Sequence, residues 1–168
     1  IDYFKLIRPA QWVKNVVIFA GPAAGLKLFS ADGLTRTLLT FAAFCLAASA
    51  GYIVNDILDC KADRSHPTKR NRPIASGRVS RAQAFVFLAL QCLVGLVVLL
   101  QFNWFTVAVG ASSLLIVAIY PFMKRITWWP QLWLGLVFSW GVPVGWVAVT
   151  GNADAAMLWL YGGTIFWV

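Results

Sequence analysis

The sequence predicts an all-α protein, a polytopic bundle of membrane-spanning helices. Of its 168 residues, 60% are apolar and only 12% are charged, and the mean hydropathy is +0.74. Soluble domains carry about a quarter charged residues, so this composition indicates an integral membrane protein. A span needs about 20 mainly apolar residues, and the chain contains five such runs and the start of a sixth. The predicted spans are 11–29, 36–54, 82–100, 104–122 and 132–150, with the sixth beginning near 155.

The 14 lysines and arginines are distributed unevenly between the segments that flank these spans. Twelve of them precede or open the first span or lie in the loops 55–81 and 123–131, which alternating spans place on one face. Only Lys27 and Arg36 fall on the other face, and the positive-inside rule makes the basic face cytoplasmic. We therefore expect a multi-pass protein of a bacterial inner (plasma) membrane, with the N-terminus and both loops in the cytoplasm. This orientation explains most of the net charge of +8, so the bilayer is the expected partner and nucleic acid is not.

Two of the predicted spans are irregular. Lys14, Pro22 and Lys27 interrupt the first, and a proline within a helix removes a backbone hydrogen-bond donor. The fifth contains WGVPVGW at 140–146, whose glycines and proline predict a kinked helix. The last apolar run is still open where the chain ends. We therefore expect a fragment with five spans and the start of a sixth, the N-terminal part of a single transmembrane domain.

The cysteines and the histidine form no metal or disulfide pattern. Cys45, Cys60 and Cys92 are scattered without a CxxC pair, and His66 is alone. Packing is the expected role of the cysteines.

The segment NDILDCKAD follows the second predicted span and contains three of the six acidic residues in the chain. Asp56, Asp59 and Asp63 are spaced i, i+3 and i+7, which aligns them on one face of a helix, with Asn55 adjacent to Asp59. Three like charges on one stripe repel one another unless a cation lies between them. Mg²⁺ prefers oxygen ligands and is commonly held by one or two carboxylates together with substrate phosphates. The pattern predicts a Mg²⁺ site.

A basic segment, KADRSHPTKRNRPIASG, overlaps the end of this motif and continues beyond it. Its side chains, Lys69 and Arg72 among them, suit the oxygens of a phosphate. Carboxylates for Mg²⁺ beside cations for phosphate predict a site for a diphosphate. The alternative interpretation is a solvated loop after a helix that ends in ordinary carboxylates.

Two further motifs place polar side chains at the ends of spans. RPAQWVKN opens the first span, with Lys14 and Asn15 slightly inside the membrane boundary, where ionisable residues are candidates for function. The alternative is that Lys14 extends back to the headgroups. YPFMKR ends the fourth span, with Tyr120 and Lys124 four residues apart; taken alone, this is typical of an interfacial tyrosine and a positive-inside lysine.

Together these motifs resemble a known family. NDILDCKAD resembles the first aspartate-rich motif, NDxxDxxxD, of the UbiA family of intramembrane prenyltransferases, and RPIASG and YPFMK fit the same family. The resemblance extends over essentially the whole chain. It implies an all-helical protein whose helices enclose a membrane-embedded cavity under a polar cap. It also implies a second aspartate-rich motif at the sixth helix, so we expect this fragment to lack half of the metal site.

The resemblance also implies roles for individual residues. Asp56, Asp59 and Asp63 would hold Mg²⁺, and Asp56, Asp59 and Lys124 would be catalytic. The residues expected to bind substrate are Lys14, Asn15, Asn55, Lys69, Arg72 and Tyr120.

The resemblance divides along the chain between two branches of the family. Residues 83–168 resemble 4-hydroxybenzoate polyprenyltransferases, whereas residues 1–80 resemble decaprenyl-phosphate phosphoribosyltransferases through RPxQWxKN and NDxxDxxxDRxHPxKxxRPIA. Both branches use Mg²⁺, a diphosphate leaving group and a polyprenyl chain. They differ in which substrate carries the diphosphate.

We expect a Mg²⁺-dependent enzyme that joins the polyprenyl group of a polyprenyl diphosphate to an aromatic acceptor, 4-hydroxybenzoate, in ubiquinone biosynthesis. The alternative is transfer of a phosphoribosyl group from phosphoribosyl diphosphate to a polyprenyl phosphate. A non-enzymatic transporter or scaffold is a remote alternative, because transporters place polar residues at mid-membrane whereas here the polar residues lie at one end of apolar spans.

Overall fold

The computed structural model describes residues 1–126 and 128–166, without the side chains at 117, 118, 120–122, 124, 125 and 130. Within these ranges the regular structure is entirely helical, which confirms the predicted all-α class. The α-helices are α1 Asp2–Ile7, α2 Ala20–Ala24, α3 Ala31–Leu58, α4 Cys60–Arg64, α5 Arg81–Leu99, α6 Trp104–Ile126, α7 Pro130–Ser139, α8 Gly141–Thr150 and α9 Ala155–Ile165. Two 3₁₀ helices lie at Pro9–Phe19 and Lys69–Asn71.

Three helical segments of the described chain are long and apolar enough to cross a membrane. They are Ala31–Leu58, Arg81–Leu99 and Gln131–Thr150, and they coincide with the second, third and fifth predicted spans. Shorter apolar helical stretches, Trp104–Ile116 within α6 and Ala155–Ile165, lie where the fourth and sixth spans were predicted. The helical membrane architecture therefore agrees with the sequence, while the count of five spans stays a prediction.

The predicted first span, 11–29, differs from the structure. It is divided between the 3₁₀ helix, α2 and a turn in which Leu26 has a φ of 54°. The run Val16–Ile18 is β-branched, which lowers helix propensity, and Pro22 cannot donate a backbone hydrogen bond. The mean hydropathy of a segment does not show where its helix is interrupted, so the predicted first span was drawn as one continuous helix.

The chain forms two compact units. The first comprises residues 1–13 and 42–97, and the second comprises residues 14–41 and 98–168.

In the first unit, α3 continues almost without interruption into α4. The backbone N–H of Asp59 donates to the carbonyl of Asn55 (2.9 Å), and that of Asp63 donates to the carbonyl of Asp59 (2.8 Å). The apolar side of this path packs into one core. The buried members of that core are Leu6, Ile53, Ile57, Cys60, Ile74, Val79 and Ala84.

A capping box begins α5 in the same unit. The N–H of Gln83 donates to the Ser80 hydroxyl (3.1 Å), and the N–H of Ser80 donates to the Gln83 side-chain oxygen (2.9 Å). This reciprocal pair satisfies two backbone donors that a helix start leaves open.

In the second unit, α7 and α8 meet at a break at Trp140, as the sequence motif WGVPVGW predicts. Pro143 has no N–H to donate to the carbonyl four residues earlier, so the helix cannot continue with regular hydrogen bonds. Close backbone approach fixes α8 to the 3₁₀ helix. A Cβ at Gly145 would lie 2.3 Å from the carbonyl oxygen of Ile18, and glycine is required there.

We expect Gly145→Ala to lower the free energy of unfolding by about 1–3 kcal/mol, because the added methyl overlaps a backbone oxygen that cannot move away easily. Thermal unfolding in detergent micelles measures this. The matched control is Gly162→Ala in α9, where a Cβ would meet nothing within 4 Å. An equal melting temperature for the two variants would contradict the close packing.

Candidate functional site

Two of the predicted metal ligands are among the most buried polar residues of the first unit. Asp56, in the last turn of α3, is 2% exposed, and Asp63, in α4, is 3% exposed. A buried ionised carboxylate is strongly destabilising without a cationic or hydrogen-bonding partner. Their burial therefore requires cationic or hydrogen-bonding partners at the same place.

Arg72 joins the two carboxylates. Its Nη1 lies 2.7 Å from Oδ2 of Asp63 and 3.1 Å from Oδ1 of Asp56. Arg8 donates to the same Oδ1 of Asp56, with its Nη2 at 2.5 Å. The guanidinium of Arg8 also lies 4.8 Å from the centre of the Tyr52 ring, a distance typical of cation–π contacts. The four charged groups form one network.

Local backbone geometry brings Arg72 to this network. Arg72 follows the 3₁₀ turn and is extended, with φ −63° and ψ 146°, the conformation expected of a residue that precedes proline. The ring Nδ1 of His66 lies 3.3 Å from the N–H of Thr68 and 3.4 Å from that of Lys69. Ile74 is buried in the core directly after Pro73. The RPIASG motif thus fixes an arginine at the end of α3.

Arg8 reaches Asp56 from the opposite end of the sequence. It ends α1 in the left-handed region, with φ 47° and ψ 61°, which is uncommon for a residue other than glycine. Ser49 holds the chain on both sides of Arg8 through two hydrogen bonds. The Trp12 indole donates to the Ser49 hydroxyl (2.9 Å), and that hydroxyl donates to the carbonyl of Ile7 (2.7 Å). The N-terminal segment is therefore anchored along α3.

Sequence reasoning missed Arg8 as a site residue. It belongs to RPAQWVKN, but Lys14 and Asn15 of that motif were the predicted binding residues. The scarcity of acidic residues could have indicated it. A buried aspartate in so apolar a chain needs a nearby cation, and Arg8 is the first residue of RPAQWVKN.

The other predicted site residues lie in different environments. Asn55, Asp59 and Lys69 are exposed in the first unit. Lys14 and Asn15 belong to the second unit. Tyr120 and Lys124 have side chains outside the described residues, so their predicted roles stay predictions.

The carboxylates fit Mg²⁺ in their donor chemistry. Asp56 and Asp63 converge on Arg72, and Asp59 is exposed one turn from Asp56. No group of three or more His, Cys, Asp or Glu in the described chain is arranged to hold a metal ion. Mg²⁺ often takes only one or two carboxylates and completes its shell with water and substrate phosphates. The arrangement suits a metal that arrives with a phosphorylated ligand.

The fold and this network define a helical membrane protein with a charged site at the end of an apolar helix. The model of the UbiA prenyltransferase family matches residues 16–168, and the chain belongs to this family.

Several proteins named 4-hydroxybenzoate polyprenyltransferase are similar to this chain. The mitochondrial 4-hydroxybenzoate polyprenyltransferase of Rattus norvegicus is 48% identical over 123 residues, covering 73% of this chain and 33% of that protein. The mitochondrial 4-hydroxybenzoate polyprenyltransferase of Drosophila pseudoobscura pseudoobscura is 40% identical over 171 residues, covering 98% of this chain and 43% of that protein. The one of Caenorhabditis elegans is 37% identical and covers 99% of this chain and 45% of that protein. The chain thus spans less than half the length of these relatives.

Two solved structures share the fold. One solved structure comes from work on digeranylgeranylglyceryl phosphate synthase in membranes. It superposes on this chain with a TM-score of 0.75 at 22% sequence identity, and the match covers 98% of this chain and 57% of that one. The apo structure of a UbiA homologue from Aeropyrum pernix K1 superposes with a TM-score of 0.71 at 23% sequence identity. The match covers 99% of this chain and 60% of that one. At this level of identity the likeness establishes the fold alone.

The expected bacterial inner membrane, with the N-terminus and the loops 55–81 and 123–131 in the cytoplasm, is wrong. The relatives named above are mitochondrial proteins of animals, and they point to a mitochondrial membrane. The distribution of Lys and Arg indicates which segments share one face of a bilayer. It does not identify the bilayer.

Arg72→Met should lower the free energy of unfolding by about 3–5 kcal/mol, because it leaves Asp63 buried without its cation. Adding Asp63→Asn should restore part of that loss, since the second change removes the uncompensated charge. Chemical unfolding in micelles measures both. The control is Arg36→Met, whose exposed pair with Asp32 contributes about 0–1 kcal/mol. The network would be refuted if Arg72→Met and Arg36→Met had the same effect.

Proposed function

We propose that the full-length protein transfers the polyprenyl group of a polyprenyl diphosphate to 4-hydroxybenzoate, in a mitochondrial membrane and as a step of ubiquinone biosynthesis. The observation that carries this proposal is the 40% identity over 98% of the chain to a protein named for that activity. This alignment includes residues 1–80, so it favours one activity for both halves of the chain.

The charged network of the first unit supports the proposal chemically. Asp56, Asp59 and Asp63 are the residues that would hold Mg²⁺, and a bound Mg²⁺ would neutralise charge on the diphosphate oxygens. Arg72 keeps Asp56 and Asp63 oriented through charge-assisted hydrogen bonds. Asn55 and Lys69 are exposed in the same segment and would contact the diphosphate.

The chain's own groups would assist departure of the diphosphate. As the allylic C–O bond breaks, negative charge grows on the leaving oxygens, and the cationic side chains of Arg72 and Lys69 would stabilise it. The aromatic ring of the acceptor then forms a C–C bond to the carbocation-like carbon, and the attacked ring carbon loses its proton to a base such as the released diphosphate. Water would trap that carbon first in an open site, and apolar helices exclude water.

A second candidate rests on one specific observation. RPAQWVKN and NDILDCKADRSHPTKRNRPIA match the marks of the phosphoribosyltransferase branch almost completely. In that reaction the diphosphate leaves a ribose, and the acceptor is a polyprenyl phosphate.

Two radiolabelled substrate pairs test these activities in membranes that contain the full-length protein. We expect product from 4-hydroxybenzoate with a polyprenyl diphosphate, and none from phosphoribosyl diphosphate with a polyprenyl phosphate. Asp59→Asn is the matched inactive control, because Asp59 is exposed and its replacement leaves the buried Asp–Arg network in place. Product from the second pair alone would contradict the proposal and support the second candidate.

A further inference from the structure

Arg8 and Arg72 both donate to the same oxygen of Asp56. Nη2 of Arg8 lies 2.5 Å from Oδ1, and Nη1 of Arg72 lies 3.1 Å from the same atom. An ionised carboxylate has about four lone-pair positions, two on each oxygen. The two guanidinium donors therefore use both positions of Oδ1. Oδ2 is the oxygen of Asp56 that keeps its lone pairs for a metal ion.

The guanidinium of Arg8 is held in place by the fold of the first unit. Ser49 fixes the backbone on both sides of Arg8, and the guanidinium lies 4.8 Å from the centre of the Tyr52 ring. Tyr52 and Asp56 are four residues apart in α3, so they share one face of that helix. Arg8 contacts this face at both side chains, which orients its donor toward Oδ1.

Arg8 and Arg72 differ in what else they hold. Nη1 of Arg72 also lies 2.7 Å from Oδ2 of Asp63, so Arg72 joins two buried carboxylates. The ion pair of Arg8 is with Asp56, and its side chain is 26% exposed. Loss of Arg8 would therefore free one lone-pair position on Oδ1 of Asp56, while Arg72 would still neutralise the carboxylate.

The number of free oxygens on Asp56 affects which hard cation fits beside it. Mg²⁺ requires near-octahedral geometry with oxygen ligands at about 2.0–2.1 Å, whereas Ca²⁺ takes about six to eight oxygens at about 2.3–2.6 Å and often binds both oxygens of one carboxylate. A carboxylate with one free oxygen suits the smaller shell of Mg²⁺. It cannot give Ca²⁺ the two-oxygen contact that helps to fill the larger shell.

We propose that Arg8 is a positioning residue that makes the site select Mg²⁺ over Ca²⁺, because it restricts Asp56 to one metal-binding oxygen. The inference rests on the proposed function, which supplies a divalent cation at Asp56. The two ions carry the same charge, so the repulsion between the Arg8 cation and the metal is about the same for both. The restriction to one oxygen is what separates them.

Ligand binding to the full-length protein in micelles tests this inference. The probe is a non-ionisable polyprenyl thiolodiphosphate, whose affinity is measured with Mg²⁺ and with Ca²⁺. We expect tighter binding with Mg²⁺, and we expect Arg8→Met to lower the ratio of the two affinities by about tenfold, the lower end of the effect of losing a partner of a metal ligand. Arg8→Lys should keep most of the ratio, because its ammonium group can donate to Oδ1. The control is Arg36→Met, which removes an exposed ion pair and should leave the ratio unchanged.

The ratio distinguishes this role from a structural one. Loosening of the fold alone would weaken binding equally with both ions, and an unchanged ratio in Arg8→Met would overturn the inference while leaving the proposed function intact. Equal affinities with Mg²⁺ and Ca²⁺ in the wild-type protein would also overturn it.

A second variant covers the case in which Arg8→Met does not fold. Tyr52→Leu removes the ring beside the guanidinium of Arg8 and should lower the ratio by about two- to fivefold, the equivalent of one cation–π contact. An unchanged ratio there would overturn the inference as well. A wild-type protein that binds the probe equally well without either ion would contradict the metal site of the proposed function, and this inference with it.

Discussion

Asp56 and Asp63 are ionisable groups buried in an apolar chain, and the arginines that face them determine how the first unit is assembled. Removing one partner of a buried ion pair commonly costs several kcal/mol because the other charge remains uncompensated. Arg72 can meet both carboxylates only if the turn before Pro73 lies against the end of α3. Arg8 can meet Asp56 only if the N-terminal segment follows the same helix. The ion pairs therefore position two segments that are distant in sequence.

The same network connects the fold with the chemistry. A site for a metal and a diphosphate needs carboxylates and cations that are held close together and do not form solvent-exposed ion pairs. Here Arg72 separates two aspartates that would otherwise repel each other, and Asp59 remains exposed beside them. This arrangement would preorganise the proposed site for ligands that bring their own charge.

Some features were accessible from the sequence because they depend on composition or short-range rules. Apolar runs predict helices in a membrane, and Pro143 between glycines predicts the break at Trp140. The i, i+3, i+7 spacing identified the aspartate face, but periodicity does not specify how deeply each member is buried. Asp59 is exposed, whereas Asp56 and Asp63 are buried. Arg8 pairs with Asp56 although 48 positions separate them in the sequence. Such long-range pairing depends on tertiary packing, which local patterns do not encode.

We propose that the aspartates hold a diphosphate through Mg²⁺. The most direct measurement is equilibrium binding of a non-ionisable polyprenyl thiolodiphosphate to the full-length protein in micelles, with Mg²⁺ or with EDTA. We expect binding with Mg²⁺ that weakens about tenfold or more with EDTA or with Asp59→Asn, since these carboxylates would hold a metal that neutralises charge on the phosphate oxygens. Equal affinity in EDTA, unchanged by Asp59→Asn, would contradict the account.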